Sequence, residues 1–196
     1  MMKQIAKLGL LLIMVGSMSA CAGLFGQPEY VTWKEEVKLN DGRVIVVTQK
    51  KHCFGAYTGG NYASCIAREA WLTIKLPEFS AQEIVWHEGL SPRVLNIYEG
   101  RLYVVGIPPT CFEFRTYGKP QPPYVGFVFE NGQLKHIPFK EIPEAIYDTN
   151  MLMDAIPPNG LKFLSLVKKE SSEMNGKPYI QMHHKRIDPK HKTNCD

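Results

Sequence analysis

From Trp33 onward apolar and polar positions alternate with a period of two. Trp33, Glu35, Val37 and Leu39 fall on one side and Lys34, Glu36 and Lys38 on the other, the spacing of a half-buried β-strand. Asn40-Asp41-Gly42 then predicts a reversal, because Asp-Gly reaches the positive φ angles that tight hairpins demand, and Arg43 to Gln49 reads as the returning strand. The same logic recurs in Val94 to Tyr98, Glu99-Gly100 and Arg101 to Gly106, and again in Tyr124 to Glu130, Asn131-Gly132 and Gln133 to Pro138. Ala70 to Leu76 and Glu83 to His87 add strands, with Pro77 and Ser80 marking the break between them.

After Pro138 the pattern changes. Asn150 is placed to cap a short helix over Met151 to Ala155, which Pro157-Pro158-Asn159-Gly160 would stop. Leu161 to Lys168 is short and lies between turn signals, so a strand is favoured there over a helix. The expected fold is mainly β, either all-β or β-rich α+β, with antiparallel hairpins forming a sandwich or open barrel. A propeller is the less economical architecture, since its blades take about 40 to 50 residues and at least four close a ring. The expected organisation is a signal segment over 1–20, a tether over 21–29, a β-rich globular domain over 30–170 and a polar, mostly irregular tail over 171–196.

Ahead of the first strand, Lys3 and Lys7 precede the apolar run Leu8 to Val15, and the small residues Gly16, Ser17, Ser19 and Ala20 lead to Cys21. The apolar run is about half of the roughly 20 residues that span a bilayer. Met18-Ser19-Ala20-Cys21 resembles the lipobox of bacterial lipoprotein precursors, which usually carry Leu where Met18 stands. The resemblance implies acyl chains, palmitate among them, on Cys21. It also implies outer-membrane anchoring on the periplasmic face, since Ala22 replaces the Asp that often marks inner-membrane retention. Mature-region stretches such as PRVLNIYEGRLYVVGIPPT and PPYVGFVFENGQLKHIPFKEIPEAIYDTN are similar to uncharacterised proteobacterial lipoproteins, which implies no activity.

Processing changes the charge and the cysteine count. Removing 1–20 takes two lysines and no acid from 23 basic and 19 acidic side chains, leaving a net charge of about +2, too evenly mixed to point to nucleic acid or to electrostatic membrane binding. Cys53, Cys65, Cys111 and Cys195 remain, an even set for an oxidising compartment. Of the three connectivities, Cys53–Cys65 with Cys111–Cys195 is preferred. No pair has the close Cys-x-x-Cys spacing of structural zinc.

Candidate chemistry is sparse. In His87-Glu88 an imidazole adjoins a carboxylate, but Ser91 stands where the zincin pattern needs its second His. His183 and His184 are neighbours and would point to opposite faces of a strand. No G-x-S-x-G elbow surrounds Ser64, and Gly59-Gly60 is not followed by the Lys-Ser/Thr pair of a phosphate loop. No catalytic residue, metal ligand or cofactor is assigned. Phe54, Tyr57 and Tyr62 lie between two cysteines and could form a stapled binding loop, because Tyr supplies contact area at low entropic cost. The prolines at 108, 109, 120, 122 and 123 suit a blunted sheet edge or a partner contact.

These features favour a non-enzymatic, lipid-anchored envelope protein that meets the membrane through Cys21 and binds an envelope protein or another envelope component. A hydrolase acting on peptidoglycan, lipid or glycan would instead need His87 or Glu88 to meet Asp148, Asp154 or His136.

Overall fold

The computed structural model describes residues 29–59, 62–152, 157, 161–171, 173–174, 177–178 and 186–195, with the side chains of 29, 54–66 and 170–178 excepted. Eight main strands form two consecutive meanders. In the first, β1 (Glu29–Lys38), β2 (Val44–Gly59), β3 (Tyr62–Ile74) and β4 (Ile84–Glu88) pair antiparallel in chain order. In the second, β5 (Ser91–Tyr98), β6 (Arg101–Ile107), β7 (Val125–Glu130) and β8 (Gln133–Ile137) do the same. Gly89 and Leu90 alone carry the chain from one sheet to the other. The sheets pack as a sandwich, neither closed into a barrel nor divided into blades.

Turn chemistry explains the hairpins. Glu99 and Gly100 have φ of +49° and +71°, and Asn131 and Gly132 +53° and +81°. Two successive positive φ values twist a two-residue turn in the sense of its strands. Between the sheets Val37, Val47, Leu72, Ile74 and Trp86 meet Leu95, Leu102, Val104 and Phe127 in one apolar cluster.

The outer side of the second sheet is covered as well. Val94, Tyr103, Val105 and Val128 pack against Ile142, Ile146, Tyr147 and Ile187. Ile142 sits so close that a Cβ added to Gly126 would lie 2.7 Å from its Cγ1. The covering segment bends through two 3-10 turns, Phe139–Glu141 and Glu144–Ile146, and the Ile187 N–H donates to the Tyr147 carbonyl at 2.8 Å. A disulfide between Cys111 and Cys195, with Cα atoms 5.1 Å apart, holds the C-terminal segment down. Cys111 opens a helix the sequence reading did not foresee, α1 (Cys111–Thr116), whose first turn is capped by the Thr110 hydroxyl accepting from Phe112 N.

Three local expectations meet the structure differently. Asn150 is engaged elsewhere than at a cap: its amide donates to the carbonyls of Lys38 and Leu95 while its oxygen accepts from Leu95 N, which ties the sheets together; Met151 and Leu152 are not helical, and 153–155 lie outside the described residues. Residues 161–168 form only the two-residue strand β9 (Phe163–Leu164), parallel to β1, before the chain turns into α2 (Leu166–Ser171). The helix brings Lys169 to Glu35. The backbone of the possible binding loop runs in strand up to Gly59 and again from Tyr62, with Ala56, Tyr57, Thr58 and Gly59 facing Cys65, Ser64, Ala63 and Tyr62, while residues 60 and 61 lie outside the described residues.

Lys169 and Glu35 form an ion pair with no solvent exposure on either side chain. The Lys169 ammonium donates to Glu35 Oε1 at 3.3 Å and to the carbonyls of Glu36 and Asn150, both at 2.7 Å. The carboxylate also accepts from Trp33 Nε1, Gln49 Nε2 and the Leu152 N–H, at 3.0 to 3.1 Å. Every proton of the ammonium and both carboxylate oxygens are therefore engaged, which is the condition for burying such a pair.

Candidate functional site: the open face of the first sheet

The first sheet runs β4-β3-β2-β1-β9, and only its inner side meets the second. Alternation along each strand sends Tyr30, Thr32, Lys34 and Lys38, then Val44, Val46, Lys50 and His52, then Glu69, Trp71 and Lys75, then Val85 and His87, to the other side. Register adds Phe163, which pairs with Lys34.

Of the seven large hydrophobic residues exposed among the described residues, five lie here. They are Tyr30, Val44, Val46, Val85 and Phe163, between 44% and 55% exposed. They are spread over β1, β2, β4 and β9, with lysines and threonines between them.

At the end of this face nearest the start of β1, side chains from four strands form a ladder. Tyr30 stacks on its cross-strand neighbour His52 with ring centroids 4.6 Å apart, and Trp71 stacks on His87 at 4.3 Å. Between the two stacks the Lys50 ammonium lies 4.5 Å from the Tyr30 ring centre and 4.7 Å from that of Trp71. Such a cation is drawn to the electron-rich ring faces. The Glu69 carboxylate reaches both imidazoles, at 3.3 Å from His52 Nδ1 and 3.4 Å from His87 Nε2. The ladder is preorganised by its own contacts.

The candidate acid–base pair does not form. His87 points to the open face, whereas Glu88 accepts a 2.6 Å hydrogen bond from the Tyr117 hydroxyl, which in turn accepts from the Gly89 N–H at 3.0 Å. Burial, with the Glu88 carboxylate beside it, pushes the Tyr117 phenol well above the usual tyrosine range. Nearby, Glu113 is buried against Arg68 and the Thr110 hydroxyl, an arrangement that docks α1 on the sheet edge. Of the distant groups that hydrolysis would recruit, Asp148 pairs with Arg186 and His136 lies against Phe127. Asp154 lies outside the described residues. Among the described residues no three His, Cys, Asp or Glu side chains converge on a metal position.

A groove of about 330 Å³ follows the outer edge of β4, lined by Val85, His87 and Glu88 on one side and by Phe129 and Gln133 on the other. A second hollow of about 370 Å³ is lined by Asn40, Asn96 and Asn150, whose amides are already engaged with one another or with backbone.

Cys21 and residues 1–20 lie outside the described residues, as do His183, His184 and the side chains of Phe54, Tyr57, Tyr62 and Cys65. Cys53 is disulfide-bonded. Sequence reasoning missed the open face. The available signal was that outward positions of alternating strands carry Tyr30, Val44, Val46, Trp71 and Val85 where polar residues are usual. No protein family, curated protein or solved structure matches this chain.

Proposed function

We propose that the protein is a lipid-anchored, non-enzymatic binding module of the cell envelope, held at the outer membrane through Cys21, that meets its partner through the open face of the first sheet. The observation that carries this reading is the asymmetry between the two outer faces. The second sheet's outer side is covered by a dedicated segment and a disulfide-held tail. The first sheet's outer side keeps five exposed hydrophobics and an ordered aromatic ladder. A face preorganised in this way loses little side-chain entropy on binding. The Met18 to Cys21 motif supplies the anchor.

Two measurements test the proposal. The mass of the N-terminal peptide reports acyl chains on Cys21, and Cys21→Ser should move the protein from the membrane to the soluble fraction. A photo-crosslinking residue at Val46 or Val85 should capture an envelope component in cells, and one at His136, beyond the open face, should not. Capture from position 136 alone would reassign the binding surface, and an unacylated soluble protein would refute the anchor.

A further inference from the structure

We infer that the open face of the first sheet docks on an anionic lipid surface, so that the anchored domain lies flat against its own membrane. This deepens the reading above and rests on its anchor. Three observations converge on it.

The first is the position of the tether. Only eight residues, 22–29, separate Cys21 from Tyr30, a reach of at most roughly 30 Å. Tyr30 is itself part of the open face, 52% exposed and stacked on His52. The chain therefore arrives from the membrane beside this surface.

The second is the mixture of side chains. Tyr and Trp with apolar bodies and polar tips are enriched where hydrocarbon meets headgroups. Tyr30 and Trp71 share this face with Val44, Val46, Val85 and Phe163. The lysines interleaved with them have long stems that can lie along the apolar surface while their ammonium groups reach outward.

The third is charge. Lys34, Lys38, Lys50 and Lys75, scattered in the sequence, share this face. Glu83 beside the face offsets Lys75 at 2.9 Å, which leaves Lys34, Lys38 and Lys50 against two carboxylates: Glu36, which accepts from Leu166 N, and Glu69, which reaches the two imidazoles. Lys34 and Lys38 have no carboxylate partner among the described residues, and Lys50 sits over rings. Cations set among apolar groups on one broad face complement anionic headgroups above an acyl boundary.

The indole positions make the test selective. Trp33 and Trp86 are each 1% exposed, so Trp71 alone can report contact with lipid. The full-length acylated protein is reconstituted into phosphatidylcholine vesicles containing phosphatidylglycerol whose acyl chains are brominated near the headgroup. Bromine should lower the Trp71 share of the emission roughly twofold, as contact at the interface requires. Trp71→Phe should abolish the effect, and Lys34→Gln with Lys38→Gln, or vesicles in which equally brominated phosphatidylcholine replaces the phosphatidylglycerol, should weaken it. If the protein is acylated and floats with the vesicles but bromine has no effect, the face stands off the membrane and the inference fails while the anchor survives. Protein adducts in place of lipid adducts from a crosslinker at Val46, whether to another protein or a second copy, would overturn it equally. A protein that carries no acyl chains and stays soluble refutes the anchor and the docking together.

Discussion

Replacing Lys169 by Met tests the most demanding interaction in the fold. The ammonium makes three contacts, to Glu35 Oε1, the Glu36 carbonyl and the Asn150 carbonyl. Methionine fills most of the volume and makes none of them. Glu35 would keep three donors, Trp33 Nε1, Gln49 Nε2 and Leu152 N, but would remain an anion at zero exposure without its counterion. Removing one partner of such a pair costs about 3–5 kcal/mol. For a domain of this size, each kcal/mol lowers Tm by about 2–4 °C, so the midpoint should fall by roughly 10 °C. Urea unfolding followed by tryptophan emission is the assay, since Trp33 is bonded to the network. Adding Glu35→Gln removes the stranded charge, and the double variant should therefore lie well above the sum of the singles, with a coupling of about 1 kcal/mol or more. Lys168→Met, on the exposed side of the same helix, should stay within about 0.5 kcal/mol of the parent. A Lys169→Met variant that unfolds like Lys168→Met, or that adds simply with Glu35→Gln, would refute the reasoning.

Other outcomes are equally definite. Gly126→Ala forces a Cβ against Ile142 and Ile137, with contacts of 2.7 to 3.0 Å. It should destabilise by about 1–3 kcal/mol in urea, and Ile142→Val should recover part of that loss. Opening the Cys111–Cys195 link, 84 residues apart, by Cys195→Ser should cost about 4.5 kcal/mol in the chain-entropy model, measured under oxidising conditions. Tyr117 should ionise later than an ordinary tyrosine in an alkaline absorbance titration, because its folded-state pKa is raised. The linked stability is complete below the unfolded phenol's pKa of about 10 and is lost as pH rises above it; a titration without a delayed phenol would contradict this. Arg43 holds the Asp41 and Glu78 carboxyls below their ordinary values. Carboxyl NMR titration should show both midpoints rise in Arg43→Gln, whereas unchanged midpoints would exclude the pairing. The small stability linked to this exposed pair is present above the unfolded carboxyl values and is lost as pH falls through the depressed ones.

The hairpins were legible in the sequence because their causes are local. Glu99-Gly100 and Asn131-Gly132 hold positive φ whatever lies elsewhere, and the alternation from Trp33 to Leu39 correctly grouped Glu35 with the inward residues. Where both sides of a sheet are covered, alternation disappears. Ser91 to Asn96 is buried without a break, so only its flanking turn marks the strand. Lys51 and Lys169 have the composition of surface residues, yet neither is exposed, since their burial depends on distant partners. The open face was illegible for the same reason. Tyr30, Lys50, Trp71 and His87 come together only through strand order, and their separation along the chain carries no trace of it.

The division of the fold into consecutive meanders has a consequence for assembly. Residues 29–88 hold the first four strands and 91–137 the next four, so each sheet can pair within a short stretch of chain. Pairing of neighbours closes small loops and is fast. The inner apolar side of the first sheet nevertheless has no cover until the second arrives, and Lys169 must come later still to neutralise Glu35. Maturation is thus ordered from the N-terminus, with a transient intermediate whose greasy side faces outward and which invites a chaperone. Arrested chains ending near residue 100 should bind a hydrophobic dye strongly and chains completed past 169 weakly; equal binding would argue against this sequence of events.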